Sequence, residues 1–302
     1  MPGMHGVEKM DTMKIGALLS FLTLSTLLAG CGGSGGTTGT MSLSVADTPV
    51  DSASNVVVAF TGVQLQRESG TAKTFNFASP KQIDLMATQN GNAAPLLDGV
   101  TVPAGDYQGI RLMIDASQSS ITLTDGSVYP LTVPSGSQTG LKLVSDFSVA
   151  AGGRADFMID FNLRKAVTLA NDNYILAPAL RLVDNQEVGE VAIMVRNTFM
   201  IGDASITSAT CSPAVYVYSG SNVTPVDINT TSTIQPIETA SLSLNGATSN
   251  YVYKVAFLAP GDYTVAVTCA ANDDPTAVDT LTFSGTKNAT VTTGTATSVD
   301  FP

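Results

Sequence analysis

Chemistry in this chain of 302 residues has to come from cysteines and carboxylates. The single histidine is His5, the cysteines stand at 31, 211 and 269, and there is no tryptophan. Cys31 closes the run Leu28-Ala29-Gly30-Cys31, where small residues lead directly to a thiol nucleophile. Cys211 and Cys269 are the other two thiols; an oxidising compartment favours pairing them, the alternative being two separate buried thiols. Their spacing matches no metal motif. Asp47, Asp84, Asp106, Asp115, Asp160 and Asp184 fall at strand ends or turns, where Asp side chains commonly cap turns. Two of them brought together would instead supply the acid and base of a glycosidase. The loops Asn171-Asp172-Asn173 and Asn272-Asp273-Asp274 offer the oxygen ligands that calcium prefers, but neither has the spacing of an EF-hand. Two solvated turns are the simpler reading, and no metal or other cofactor is expected.

The elements around Cys31 form an address rather than a fold. Lys14 precedes a short apolar run, Ile15 to Leu28, interrupted by Ser20, Thr23, Ser25 and Thr26, which is too short for a membrane span. With Leu28-Ala29-Gly30-Cys31 it resembles the signal and lipobox of bacterial lipoproteins. That resemblance implies cleavage before Cys31, lipidation of its thiol and acylation of the new amine, and so a stable membrane anchor. Gly32 after the cysteine implies the outer membrane by the same resemblance. Residues 1–30 are therefore assigned to the signal, and 31–40 to the lipidated cysteine and a Gly/Ser/Thr tether. The nine residues Gly32 to Thr40 would reach roughly 15–20 Å as a flexible chain. Removing the leader takes away His5 with two acids and two bases, so the net charge stays at −11. Without histidine, Ser-His-Asp and Cys-His triads and His-ligated metal centres are excluded. The acidic balance speaks against a nucleic-acid partner, which needs clustered Lys and Arg.

The body alternates apolar and polar residues with turn punctuation throughout and shows no long helical period. Ser42 to Val45 opens it; Asn55 to Arg67 follows, with Gly62 as a bulge or bend. Further strands are read at 73–77, 81–86, 107–115, 120–124, 128–133, 141–149, 154–161 and 174–183, with a brief helix over 163–169 and a hairpin at Asp125-Gly126. A boundary falls near Asp184 to Val188, and a second set of strands starts at Val191 to Arg196. The expected class is all-β: two consecutive antiparallel β-sandwich domains, 41–186 and 187–302. One echo links them, Val102-Pro-Ala-Gly-Asp-Tyr107 with Leu258-Ala-Pro-Gly-Asp-Tyr263, and convergence on a common turn explains it more simply than a whole-domain repeat. Arg111 and Arg164-Lys165 read as surface charges.

Ser42-Leu-Ser-Val-Ala-Asp47-Thr-Pro49-Val, Val56 to Val63, Ile83-Asp84-Leu85, Pro103 to Tyr107, Asp160-Phe161 and Tyr174 to Arg181 together resemble the bacterial envelope lipoproteins grouped as domain of unknown function 4382. That family carries no activity to transfer. Val255 to Val267, containing Pro260-Gly261-Asp262-Tyr263, resembles transthyretin-like, carboxypeptidase regulatory-like modules, which implies a small structural or binding β-sandwich. The expected function is a non-catalytic lipoprotein of the outer membrane that binds an envelope protein or glycan, or serves as a structural module. The alternatives are a calcium- or glycan-binding module and a carboxylate-dependent glycan hydrolase. Only 6 % of residues are aromatic, which leaves few sugar-stacking platforms for the last.

Overall fold

Alternation of buried and exposed side chains builds the strands. Met41, Leu43 and Val45 turn inward from β1 (Thr38–Thr48), with Ser42 and Ser44 between them. In β2 (Ala53–Arg67) the inward set is Val56, Val58 and Phe60, then Val63 and Leu65. The parity flips because the register shifts between Phe60 and Gly62, the bulge expected at that glycine.

The computed structural model describes residues 37–48, 52–134, 140–200, 211–228, 231–269 and 280–302. The remaining strands of the first half are β3 (Lys73–Asp84), β4 (Ala94–Pro103), β5 (Gly105–Ile114), β6 (Ser120–Leu123), β7 (Val128–Thr132), β8 (Leu141–Leu143), β9 (Phe147–Val149), β10 (Arg154–Asn162), β11 (Val167–Ala170), β12 (Asn173–Leu176) and β13 (Leu180–Asp184). One helical turn, α1 (Leu163–Ala166), follows β10. A four-stranded sheet, β13-β10-β1-β4, packs on a nine-stranded one, β11-β12-β7-β6-β2-β5-β8, to which β3 and β9 add through β2 and β5. The second half contains β14 (Gly189–Arg196), α2 (Asn197–Met200), β15 (Ala214–Ser219), β16 (Glu238–Ser241), β17 (Ser243–Asn245), β18 (Asn250–Leu258), β19 (Gly261–Thr268), β20 (Phe283–Val291) and β21 (Ala296–Phe301). Its sheets are β17-β18-β14-β21 and β16-β15-β19-β20, packed around Val191, Ile193, Val215, Val265 and Phe301. Among the described residues no strand is shared between the halves, and sheet membership changes between Asp184 and Gly189. All described residues nevertheless fall in one compact unit. No helix among them is long and apolar enough to cross a membrane.

Several local expectations change. Thr38 to Thr40, assigned to the tether, belong to β1, because Gly39 sits where a Cβ would strike Val149 and the Ala150 carbonyl. Three pairings are parallel, β1 with β10, β7 with β12 and β14 with β21, so the sandwiches are not wholly antiparallel. β3 runs through Pro80 as one strand, which an edge position permits since no ladder amide is needed there. Cys211 and Cys269 are joined, with their Cα atoms 4.6 Å apart. The bridge closes a separation of 58 residues and ties the start of β15 to the end of β19.

The largest departure concerns the echo between the halves. It is not one turn but a repeated wiring of seven strands. β1, β4 and β10 pair as β14, β18 and β21 do, and β2, β3, β5 and β9 as β15, β16, β19 and β20. Equivalent residues make equivalent contacts. Gly39 lies opposite Val102 and Gly189 opposite Leu258; Thr40 lies beside Arg154 and Glu190 beside Ala296. The Gly152 amide donates to Thr38 O at 2.9 Å, and that of Gly294 to Val188 O at 2.7 Å. Gly152 and Gly294 both take a left-handed conformation, φ +69° and +70°, open to glycine without strain. The Tyr107 hydroxyl donates to Pro103 O, and the Tyr263 hydroxyl to Ala259 O, each at 2.6 Å and four residues back. Such tyrosine corners lock the crossing from one sheet to the other.

Two outcomes are expected. Tyr107→Phe and Tyr263→Phe should each lower stability by about 1–2 kcal/mol, since each leaves a partly buried carbonyl without its donor; denaturant titration checks this. The native protein should resist thiol alkylation at Cys211 and Cys269 until reduced, and reduction should remove up to about 4 kcal/mol on the chain-entropy model.

Candidate functional site

The polar chemistry of the molecule gathers where the two sandwiches meet. Asp160 on β10 and Arg181 on β13 are direct cross-strand neighbours. Arg181 Nη2 lies 2.6 Å and Nε 3.1 Å from Asp160 Oδ2. The same Nη2 stands 3.7 Å from Glu238 Oε2, on β16 of the second sandwich. Nη1 donates to Phe257 O at 3.2 Å. Phe257 holds φ at +58°, an uncommon conformation for a bulky residue, at the position whose carbonyl meets the guanidinium. One arginine thus ties its own sheet to two strands of the other half.

Both carboxylates are buried, Asp160 at 7 % and Glu238 at 5 % exposure. Burial pushes the Asp160 carboxyl above its ordinary value despite the opposing pull of Arg181. Burial, reinforced by the Asp160 charge, pushes Glu238 well above its own. Two anions competing for one cation in a dry site favour keeping a proton on the pair. Asp47, Thr88, Asn90 and Tyr253 line the same space, a cavity of about 10 Å³, at most large enough for one water molecule.

The helix α1 adds a second tie. Arg164 is 2 % exposed, with Nη1 3.4 Å from the Tyr216 hydroxyl and its guanidinium 5.9 Å from that ring centre. Lys165 Nζ donates to Gln235 Oε1 at 2.7 Å and to Pro236 O at 3.3 Å, and burial lowers its pKa. The expectation that Arg164 and Lys165 are surface charges is therefore wrong. A lone Arg-Lys pair in a strand-rich stretch shows nothing of the Tyr216 ring 52 residues away that receives it.

The other acids are dispersed. Asp84 accepts from the Val56 and Met86 amides and from Asn55. Asp115 accepts from Ser117 and Gln118, and those bonds hold its carboxyl below the usual range. Asp184 accepts from the Gln186 amide. Asp106 lines an open hollow of about 440 Å³ with Glu68 and Asp146. Asp160 is paired with Glu238, an acid the sequence reading did not single out, and both are buried beside a space too small for a sugar.

Of the oxygen-rich loops, Asn171 and Asp172 form the two-residue turn between β11 and β12, both at positive φ. That is hairpin chemistry. Asn272-Asp273-Asp274 and Cys31 lie outside the described residues. Among the described residues no three His, Cys, Asp or Glu side chains come together as a metal site.

Residues 38–178 match the family model described as "Domain of unknown function (DUF4382)". The match covers the first sandwich up to the approach to β13. No curated protein matches the chain. Among solved structures, a leucine-rich repeat protein from Bacteroides thetaiotaomicron aligns at 12 % identity and TM-score 0.22, over 88 % of this chain but only 26 % of its own. A minor pilin from Streptococcus agalactiae aligns at 10 % identity and TM-score 0.19, over 86 % and 94 %. A streptococcal ancillary pilin aligns at 12 % and 0.19, over 88 % and 63 %. This chain thus spans about a quarter of the first of these. Scores at that level assign neither ligand nor activity here.

Arg181→Met should leave two buried carboxylates without a cation. The expected loss is about 3 kcal/mol, and thermal or denaturant unfolding measures it. A loss under about 0.5 kcal/mol would mean that the ion pairs carry no weight.

Proposed function

We propose that the chain is a non-catalytic cell-envelope lipoprotein of the DUF4382 family, anchored through Cys31 and presenting two β-sandwiches as a binding, adhesion or structural module. The anchor rests on Leu28-Ala29-Gly30-Cys31 after an apolar run and before a Gly/Ser/Thr tether. Gly32 favours the outer membrane as the destination. The second sandwich is taken as a transthyretin-like appendage on its Val255 to Val267 segment. Its partner is an envelope protein or glycan rather than a nucleic acid, in keeping with the net charge of −11.

The observation that carries the non-catalytic reading is the sealed carboxylate pair. A glycosidase needs two carboxyl groups facing a sugar, with roughly 5–10 Å between them. Asp160 and Glu238 instead share one guanidinium around about 10 Å³ of space. A groove of about 510 Å³ opens on the outer face of β14 and β18, floored by Ala192, Met194 and Val252 with Lys254 and Asp300 beside them. Its apolar floor and few polar groups suit recognition rather than turnover.

Cys31→Ala expressed in an envelope-bearing host should move the protein from the membrane pellet to the soluble fraction. Continued pelleting after a high-salt wash would refute the lipid anchor. Protease shaving of intact against lysed cells then separates a surface-facing body from a periplasmic one.

A further inference from the structure

Where β10, β13 and β16 meet, two carboxylates face one guanidinium, while Arg164 and Lys165 of α1 are engaged with Tyr216, Gln235 and Pro236. Asp160 and Glu238 approach the same nitrogen of Arg181 from different sandwiches, at 2.6 and 3.7 Å. Charged and titratable groups face this pair from four other elements. Asp47 reaches the cavity from β1, Arg181 from β13, Tyr253 and Lys254 from β18, and Tyr263 acts on Arg181 from β19. Lys254 does not relieve the excess, because its Nζ is 3.2 Å from Glu190 Oε2, already an ion pair. The space between the groups, about 10 Å³, leaves little room to hydrate a second anion.

We propose that the junction is a proton-operated latch: with a proton held between Asp160 and Glu238 the second sandwich is clamped to the first, and loss of that proton loosens the clamp. The proton turns two anions around one cation into a neutral set. Without it, two like charges remain in a dry site, and the cheapest relief is to part β16 from β13 and admit water. The same parting frees the Phe257 carbonyl from Arg181 and lets its backbone leave the positive-φ region.

The direction follows from linkage. The closed state holds a proton that the open state, with carboxyls near ordinary values, releases. Clamping is therefore complete below the ordinary glutamate value of 4.5 and is lost as pH rises toward the raised value of the buried pair. Burial first, then the neighbouring charge, sets that raised value.

Hydrogen exchange of the intact chain, corrected for the intrinsic rate, tests the latch from about pH 5 to about pH 8. Peptides over β13 and β16 are compared with β2 as an internal reference. Protection of β13 and β16 should fall as pH rises, by up to about tenfold per pH unit, the limit for one proton, while β2 holds. Glu238→Gln, which mimics the protonated acid, should abolish that dependence. An unchanged dependence in Glu238→Gln, or none in the wild type, overturns the proposal. If the variant does not fold, the infrared carbonyl band of a protonated carboxyl in the wild type decides. It should be present at the acid end and vanish as protection is lost; its absence throughout overturns the latch.

Discussion

A guanidinium keeps its charge wherever the fold places it, so a partly buried arginine dictates what must surround it. Arg181 draws one carboxylate from its own sheet, Asp160, and another from the opposing sandwich, Glu238. Its remaining reach goes to the Phe257 carbonyl. Three groups from three strands are held at one point, and two of those strands belong to the other half. Orientation of the second sandwich is thereby tied to β13. Arg164 and Lys165 reinforce the same direction from α1, through Tyr216, Gln235 and Pro236.

The repeated wiring makes the position of Arg181 informative. Seven strands recur in both halves, but β13 has no partner in the second half among the described residues, where β21 stands at the sheet edge that β10 shares with β13. The cation of the junction thus sits on a strand added to the common plan. Where the plan is shared, its glycines and tyrosines do backbone work: close approach at Gly39 and Gly189, tight turns at Gly152 and Gly294, corners at Tyr107 and Tyr263. The ionic cluster draws on both: Asp160 and Glu238 sit on shared strands, β10 and β16, and Arg181 on the added one.

What the residues alone reveal is chiefly local. Alternation in Met41-Ser-Leu-Ser-Val45, the bulge at Gly62 and the Asp125-Gly126 hairpin are local, and the structure has them all. The corner motif was visible at Tyr107 and Tyr263, but the extent of the repeat was not, because hydrogen-bond pairing preserves it while side chains diverge. β4 and β16, which supplies Glu238, show no clean alternation of buried and exposed residues and are defined by their long-range pairing. Asp160, Arg181 and Glu238 are dispersed along the chain, and each has an ordinary reading as a turn or surface residue. Pairing of β10 with β13 brings Asp160 to Arg181, and docking of the second sandwich brings Glu238 within 4 Å of the same guanidinium.

In a chain with only 13 % charged residues, burying several at one contact needs a reason beyond adhesion of the halves. Apolar side chains of similar volume commonly hold an interface at least as firmly as a buried ion pair. Ala46, Met158 and Val183, packed with Val188 and Phe257 at the same contact, already supply such a patch. What the ionic cluster adds is directional: Arg181 accepts only partners that meet its fork, so the second sandwich has one way to dock. It also adds a dependence that apolar contacts lack, because the balance of two carboxylates against one guanidinium changes with a single proton. The two sandwiches can then keep a fixed docking under one condition and relax it under another, with no change in either hydrophobic core.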